Sequence, residues 1–257
     1  APIEGDTNWI WMLVASVTEA LQRDITDNLS VALPITSWDE HQEISLRLGE
    51  DKDVNSYTNR RFRYSPSSVS MYPAVTAALY DRYLKVEDGG LKTRNEELLD
   101  GRRTLLLLIG SRHTEWVSAE GMNPSTLTGR ILPFGISTIT LEIRDVYYRK
   151  TGKSLMPADA EAALHNGDIE IEDQYLKIPK EIREGKRRLG DQLLQAVQEL
   201  SFSTMADVVF LTGEGLLMVN PEVLEQLEKA GIHIVPDPDA SVLRGLECLQ
   251  MLESGER

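Results

Sequence analysis

The chain has 257 residues, of which 41% are hydrophobic and 26% charged, enough to bury one large core or two modest ones. Its 41 acidic and 27 basic residues give a formal charge of -14, a field that repels phosphate backbones and anionic membranes and argues against direct nucleic-acid binding. The single cysteine, Cys248, excludes an internal disulfide and a cysteine-rich zinc site and fits a reducing, cytoplasmic setting, and no apolar run is long enough to span a bilayer.

Taken in chain order, Ile10, Leu13, Val14, Val17 and Leu21 recur at helical spacing and predict a packed helix over 9–23. The opening has no initiator methionine, no secretory pattern and no strand-rich lead-in, so the chain is expected to be processed, trimmed or a fragment. "LSVALPI" (29–35) reads as a short buried strand ended by Pro34. "EISLRLG" and "RRFRYS" alternate as the two strands of a hairpin would, on either side of the turn-rich "EDKDVNSYTN". "SSVSMY" is a further strand. Pro73 opens a helix over "AVTAALYDRYLK", because a missing amide costs nothing in the first turn, and "DGGLKTRNEELLDG" reads as a polar connection.

Residues 105–116, "LLLLIGSRHTEW", carry the strongest signal. The leucine run predicts a strand buried on both faces. Gly110 and the polar knot after it then fall at the strand's C-terminal end, where open α/β sheets bind ligands. Two readings stand: a phosphate turn whose amides approach an anion closely, or a polar hairpin. "TEWVSAEG" continues as strand, a turn falls at "MNPSTLTG", and "RILPFG" leads into the helix "ISTITLEIRDVYYRKTG", closed by Gly152. From about 157 to 203 the chain reads as helical and highly charged. Arg183, Lys186, Arg187 and Arg188 form a basic cluster there, either a solvated helix face or a phosphate or partner contact.

The last third repeats the earlier logic. "ADVVFLTGEG" is a buried strand ending in a Gly-Glu-Gly turn, Pro221 opens an amphipathic helix, "IHIVPDPD" is one more strand, and "ASVLRGLECLQML" is a closing helix. Each glycine can serve backbone geometry alone, but two strand-to-glycine turns in one chain point to a shared ligand held across a crevice. Other chemistry is thin. His41, His113, His165 and His233 are scattered singly, without zinc-ligand spacing; His113 with Arg112 could neutralise a phosphate or be ordinary turn residues. Ser111 has no evident base. Trp9, Trp11, Trp38, Tyr72 and Tyr80 fit core packing or a protomer contact.

This succession of elements, with "LIGSRHTE", "FGISTIT" and "VVFLTGEG" as its short motifs, resembles the bacterial actin-like proteins of the plasmid-segregation type, the ParM or StbA family, over nearly the whole chain. The resemblance implies an α/β fold, actin-like (ribonuclease H-like), with two domains of mixed sheets flanked by helices. Residues 1–100 would be the remainder of the first domain, its N-terminal hairpin missing, and 101–257 the second. It implies ATP or ADP bound by Gly110, Ser111, Arg112, Thr114 and Glu115 of a phosphate turn and by Gly213, Glu214 and Gly215 of an adenosine turn. Self-association into filaments, a DNA-binding adaptor and a role in plasmid DNA segregation follow from the same resemblance.

Three departures bear on activity. Leu108 stands where the family has an aspartate that orders magnesium, so any Mg accompanying the nucleotide would have to be held from elsewhere. Ala74 stands where the family has a water-positioning glutamate, and nothing before Trp9 resembles the first phosphate loop. No catalytic or metal-ligating residue is therefore assigned, and hydrolysis is expected to be weak or lost. The competing expectation is a non-enzymatic scaffold that keeps the fold around a decayed cleft. A sugar or acid kinase has less support, for want of a second carboxylate placed as substrate base.

Overall fold

The computed structural model describes residues 14, 15, 17, 20, 21, 23–55, 61–124, 130–171 and 174–255. Much of the helix expected over 9–23, Trp9 and Trp11 included, and the last five residues of the "MNPSTLTG" turn lie outside them. Residues 14, 15, 17, 20 and 21 are helical. The chain divides into two compact units, Ala1–Ala74 and Val75–Arg257.

In the first unit, β1 (Leu29–Leu33) pairs in parallel with β4 (Val69–Pro73), and β2 (Lys52–Asn55) pairs antiparallel with β3 (Arg61–Tyr64). Helix α1 (His41–Leu48) overturns the strand expected for "EISLRLG". The alternation of Ile44, Leu46 and Leu48 is misleading, because Ile44 and Leu48, four apart, share the buried face while Leu46 is 75% exposed. The hairpin expected here exists, but the partner of "RRFRYS" is Lys52–Asn55, within the segment read as a turn. Tyr64 closes this core; it is fully buried, its hydroxyl donates to the Leu48 carbonyl at 2.6 Å, and burial pushes it up to about 12. Trp38 stacks on His41 at 4.5 Å and its carbonyl lies 2.6 Å from the His41 Nδ1, so both rings serve local packing.

The second unit is built on a mixed sheet in the order β10–β8–β7–β13–β14. Its strands are β7 (Arg103–Ile109), β8 (Thr114–Glu120), β10 (Arg130–Leu132), β13 (Val208–Thr212) and β14 (His233–Ile234), with the short β9 (Asn123–Pro124) also on β8. β7 runs parallel to β13 and antiparallel to β8. As the leucine run predicts, Leu105, Leu106 and Leu107 are fully buried. Leu105, Leu107 and Ile109 point to one face and pack with Ile139 and Ile143 of α4 (Ser137–Thr151) and with Leu189 and Leu193 of α6 (Pro179–Thr204). Gly152 ends α4 in a left-handed conformation, its amide donating to the Tyr148 carbonyl.

Helix α2 (Ala74–Tyr83) follows directly on Pro73. After it, two expectations fail. The expected helix stops at Tyr83, and its last two residues begin β5 (Leu84–Glu87), which pairs with β6 (Gly90–Thr93) across a turn at Asp88 and Gly89, φ 55° and 74°; the "polar connection" (88–101) thus holds that turn, β6 and the short α3 (Glu96–Leu99). The stretch read as helical from 157 to 203 is interrupted. Helix α5 (Pro157–Asn166) ends at Gly167, and β11 (Asp168–Ile171) pairs with β12 (Gln174–Lys177) before α6 begins. The basic cluster on α6 is a solvated face knitted to acids: Arg187 pairs with Glu184 and Asp191, and Arg188 with Glu142 and Glu184. Helices α7 (Pro221–Lys229) and α8 (Ser241–Ser254) follow as expected, whereas "IHIVPDPD" is strand only at His233–Ile234.

Cys248, on α8, is 1% exposed, and burial, with Asp81 and Glu247 adding to it, pushes its thiol up to about 11. The native chain therefore keeps a proton that the unfolded chain loses. Stability from this group is whole below the ordinary thiol value and falls as the pH rises toward 11. Because only the thiolate reacts, a disulfide reagent at pH 8 should modify native protein about a hundredfold more slowly than urea-unfolded protein. Equal rates would contradict this packing of α8.

Candidate functional site

The polar knot after the leucine strand is a hairpin turn. The Gly110 amide donates to the His113 carbonyl at 3.1 Å, and Ile109 pairs with Thr114. The turn is stitched to the start of α4. Ile136 N–H donates to the Gly110 carbonyl at 3.1 Å, Ser137 N–H to Ser111 at 2.7 Å, and the Ser137 hydroxyl to Arg112 at 3.0 Å. Such close approach needs glycine at 135, where a Cβ would lie 2.4 Å from the Gly110 oxygen. The carbonyls of the turn are thus spent on the helix. The amides of Ser111 and Arg112 donate to no backbone carbonyl among the described residues. Two successive amides beside an exposed arginine suit an oxyanion.

Thr114 and Glu115 lie on β8 rather than in the turn. Thr114 is fully buried with its hydroxyl donating to the Phe134 carbonyl at 2.9 Å; Glu115 is 3% exposed with Oε1 3.1 Å from the His113 Nε2. They position the turn from beneath. Leu108, which pairs with Glu115 on one side and Thr212 on the other, offers no oxygen. Among the described residues no group of three His, Cys, Asp or Glu side chains is placed to hold a metal ion.

The second glycine turn sits directly alongside. Thr212 pairs with Leu108, so Gly213 leaves β13 level with the end of β7. Gly213 has φ 98°, a backbone shape that side chains rarely adopt, and a Cβ there would lie 2.4 Å from the Ile109 carbonyl oxygen. A Cβ on Gly215 would lie 2.3 Å from the Ile109 Cγ2. Both glycines are required because Ile109 fills the space a side chain would need. The turn is fastened from behind, where Gly213 N–H donates to the Pro238 carbonyl at 3.0 Å and the buried Thr212 hydroxyl donates to Ser241 Oγ at 2.7 Å. Glu214 between the glycines is exposed. The two turns are thus neighbours in contact at the carboxyl ends of adjacent parallel strands, the edge of an α/β sheet that ligands use.

No family model matches the chain, and no curated protein matches it. Solved structures do. An archaeal actin homologue, Ta0583, aligns with 93% of this chain and 75% of its own, with TM-score 0.68 and 12% identity. Bacillus thuringiensis ParM with ATP aligns with 99% of this chain and 76% of its own, with TM-score 0.67 and 12% identity. The fold is actin-like. A 15-stranded ParM filament from Clostridium botulinum matches less closely, over 85% of this chain and 65% of its own, with TM-score 0.60 and 14% identity. At such identities the likeness is one of fold, carried by the order of elements and not by shared side chains. Among the described residues no helix of this actin-like fold is long and apolar enough to cross a membrane.

Of the eight residues the sequence singled out, Gly110, Ser111, Arg112, Gly213, Glu214 and Gly215 fall in the two adjoining turns, and Thr114 and Glu115 lie on β8. It missed Gly135 and Ser137, which tie the first turn to α4. Their signal was the Phe-Gly-Ile-Ser run at the helix entry.

Proposed function

We propose that this chain is an actin-like filament protein that holds a purine nucleotide on the Gly110 and Gly213 turns. The observation that supports this best is their contact at the carboxyl ends of β7 and β13, together with the uncommitted amides of Ser111 and Arg112. Ser111 and Arg112 would take phosphate oxygens. Glu214 would accept from ribose hydroxyls, and His113 would stay near Glu115 beneath the turn. Bound ATP supplies a γ-phosphate open to hydrolysis, but Leu108 and Ala74 offer neither a metal ligand nor a base for water, so turnover is weak or lost. Residues 101–257 would be the second actin-like domain and 1–100 the remainder of the first.

Structural neighbours support the reading through what they are, one a ParM with ATP and another a ParM filament. Filament growth, a role in plasmid DNA segregation and a DNA-binding adaptor are part of the same proposal. Titration calorimetry should give saturable binding of ATP or ADP, weakened about tenfold in Ser111→Pro, which removes one amide donor. Light scattering should rise when nucleotide is added. No binding at millimolar nucleotide would overturn the nucleotide site. Scattering that ignores nucleotide would favour the second reading, a scaffold with a decayed cleft, to which Leu108 and Ala74 already point.

A further inference from the structure

Away from the glycine turns, a cavity of about 600 Å³ lies between the α2–α3 region and the β13–β14 edge. Its lining includes Arg82, Arg94 and Arg102 together with the apolar Val208, Phe210 and Ile234. Arg82 is 5% exposed and its Nε–H is buried with no hydrogen-bond partner among the described residues. Leaving a charged donor dry and unmatched is costly, and such a group calls for a partner such as a water, an ion or a ligand.

The charge around it runs against the rest of the chain. Asp81, fully buried, receives Arg82, Arg94 at 3.2 Å and Arg244 at 3.0 Å, so three guanidiniums converge on one carboxylate. One negative charge cannot neutralise three positive ones. Of the two acids at the cavity, Glu97 already pairs with Arg102 at 3.2 Å, and both Glu96 and Glu97 are exposed at the rim. Counting Arg244 behind Asp81 as well, the four arginines exceed Asp81, Glu96 and Glu97 by one positive charge, in a molecule of net charge -14.

We propose that this cavity binds a small organic oxyanion, a phosphomonoester or carboxylate on an apolar body. The anionic oxygens would take the Arg82 Nε–H and the remaining N–H groups of Arg94 and Arg102, beyond those already given to Asp81 and Glu97, while the body packs on Val208, Phe210 and Ile234. The volume suits a ligand of metabolite size. His233, whose ring lies 5.3 Å from that of Phe210, borders the cavity and reports on it.

The test uses the full chain with phenyl phosphate and benzoate as anionic probes, phenol as the neutral control and inorganic phosphate as the bodiless one. Binding is followed through the His233 ring signals in NMR spectra, assigned with His233→Gln. Phenyl phosphate or benzoate should shift the His233 signals saturably, and phenol and inorganic phosphate should bind at least roughly tenfold more weakly. Arg82→Gln, in which Asp81 keeps Arg94 and Arg244, should weaken the anionic probe roughly tenfold, and the more exposed Arg102→Ala roughly threefold. Thermal unfolding checks that each variant is folded, and Arg102→Ala serves alone if Arg82→Gln is not. ATP binding at the glycine turns should be unchanged in Arg102→Ala, which separates the two sites. Equal affinity for phenol and phenyl phosphate, an unmoved His233, or full affinity in Arg102→Ala would overturn the proposal.

Discussion

Replacing Gly245 by alanine should lower the melting temperature by on the order of 10 °C or leave the protein insoluble. A Cβ at 245 would lie 1.7 Å from the Ala77 carbonyl oxygen and 2.4 Å from its carbon. Both are backbone atoms, so no rotamer change relieves the overlap, and α8 must move away from α2 as a whole. Overpacking in a well-filled core costs about 1–3 kcal/mol, and a clash with rigid backbone belongs at or above the top of that range. The damage would spread, because Arg244 next in the chain reaches Asp81 on α2 at 3.0 Å, and Cys248, one turn further on, is buried. Scanning calorimetry checks the shift, and the disulfide reagent used on Cys248 checks its cause, since a displaced α8 should expose the thiol. A variant melting within about 1 °C of the parent would mean that α2 and α8 do not meet at Gly245.

That contact also marks where sequence reading stops. The strand of Leu105 to Ile109 and the Gly110 and Gly213 turns were legible because each is written in adjacent residues: an apolar run without alternation, then glycine. Helix α4 was legible for the same reason, with its spacing and Gly152 lying in one stretch. Gly245 sits mid-helix in "VLRGLECL" with nothing nearby to say that a carbonyl of residue 77 occupies the space of its side chain. Gly213 and Gly215 were read either as backbone geometry alone or as part of a ligand turn, and the structure gives a local cause in Ile109, a residue known to be close only once β7 and β13 are paired.

Short elements failed for a different reason. "EISLRLG" satisfies both periods, since Ile44, Leu46 and Leu48 alternate while Ile44 and Leu48 also lie one helical turn apart, and only packing against Tyr64 and its neighbours chooses between them. The β5–β6 hairpin did carry a local signal, Asp88-Gly89, but its strands are too polar to show a buried face. The Asp81 cluster was invisible, because Asp81, Arg94 and Arg244 are scattered along the chain and none belongs to a motif.

That cluster carries the other large effect. Asp81→Ala should cost about 3–5 kcal/mol, because breaking a buried ion pair strands the remaining charge. The three arginines will not suffer alike. The side chains of Arg94 and Arg244 are 34% and 29% exposed and can turn toward water, whereas that of Arg82 is 6% exposed and cannot. Burial already lowers the Arg82 pKa, with Asp81 opposing that shift. Removing Asp81 removes the opposition and leaves Arg82 facing two like charges. The penalty should therefore follow Arg82 specifically. The double variant Asp81→Ala/Arg82→Met, which removes the stranded cation and keeps an unbranched apolar side chain, should recover most of the loss in urea unfolding, whereas Asp81→Ala/Arg94→Met should recover little. If Asp81→Ala costs less than about 0.5 kcal/mol, or if both double variants recover equally, the carboxylate is not what keeps Arg82 tolerable inside the fold. The same asymmetry explains why a cavity beside Arg82 can hold positive charge at all: Asp81 stabilises the guanidinium from behind, and its Nε–H is left for whatever enters from the front.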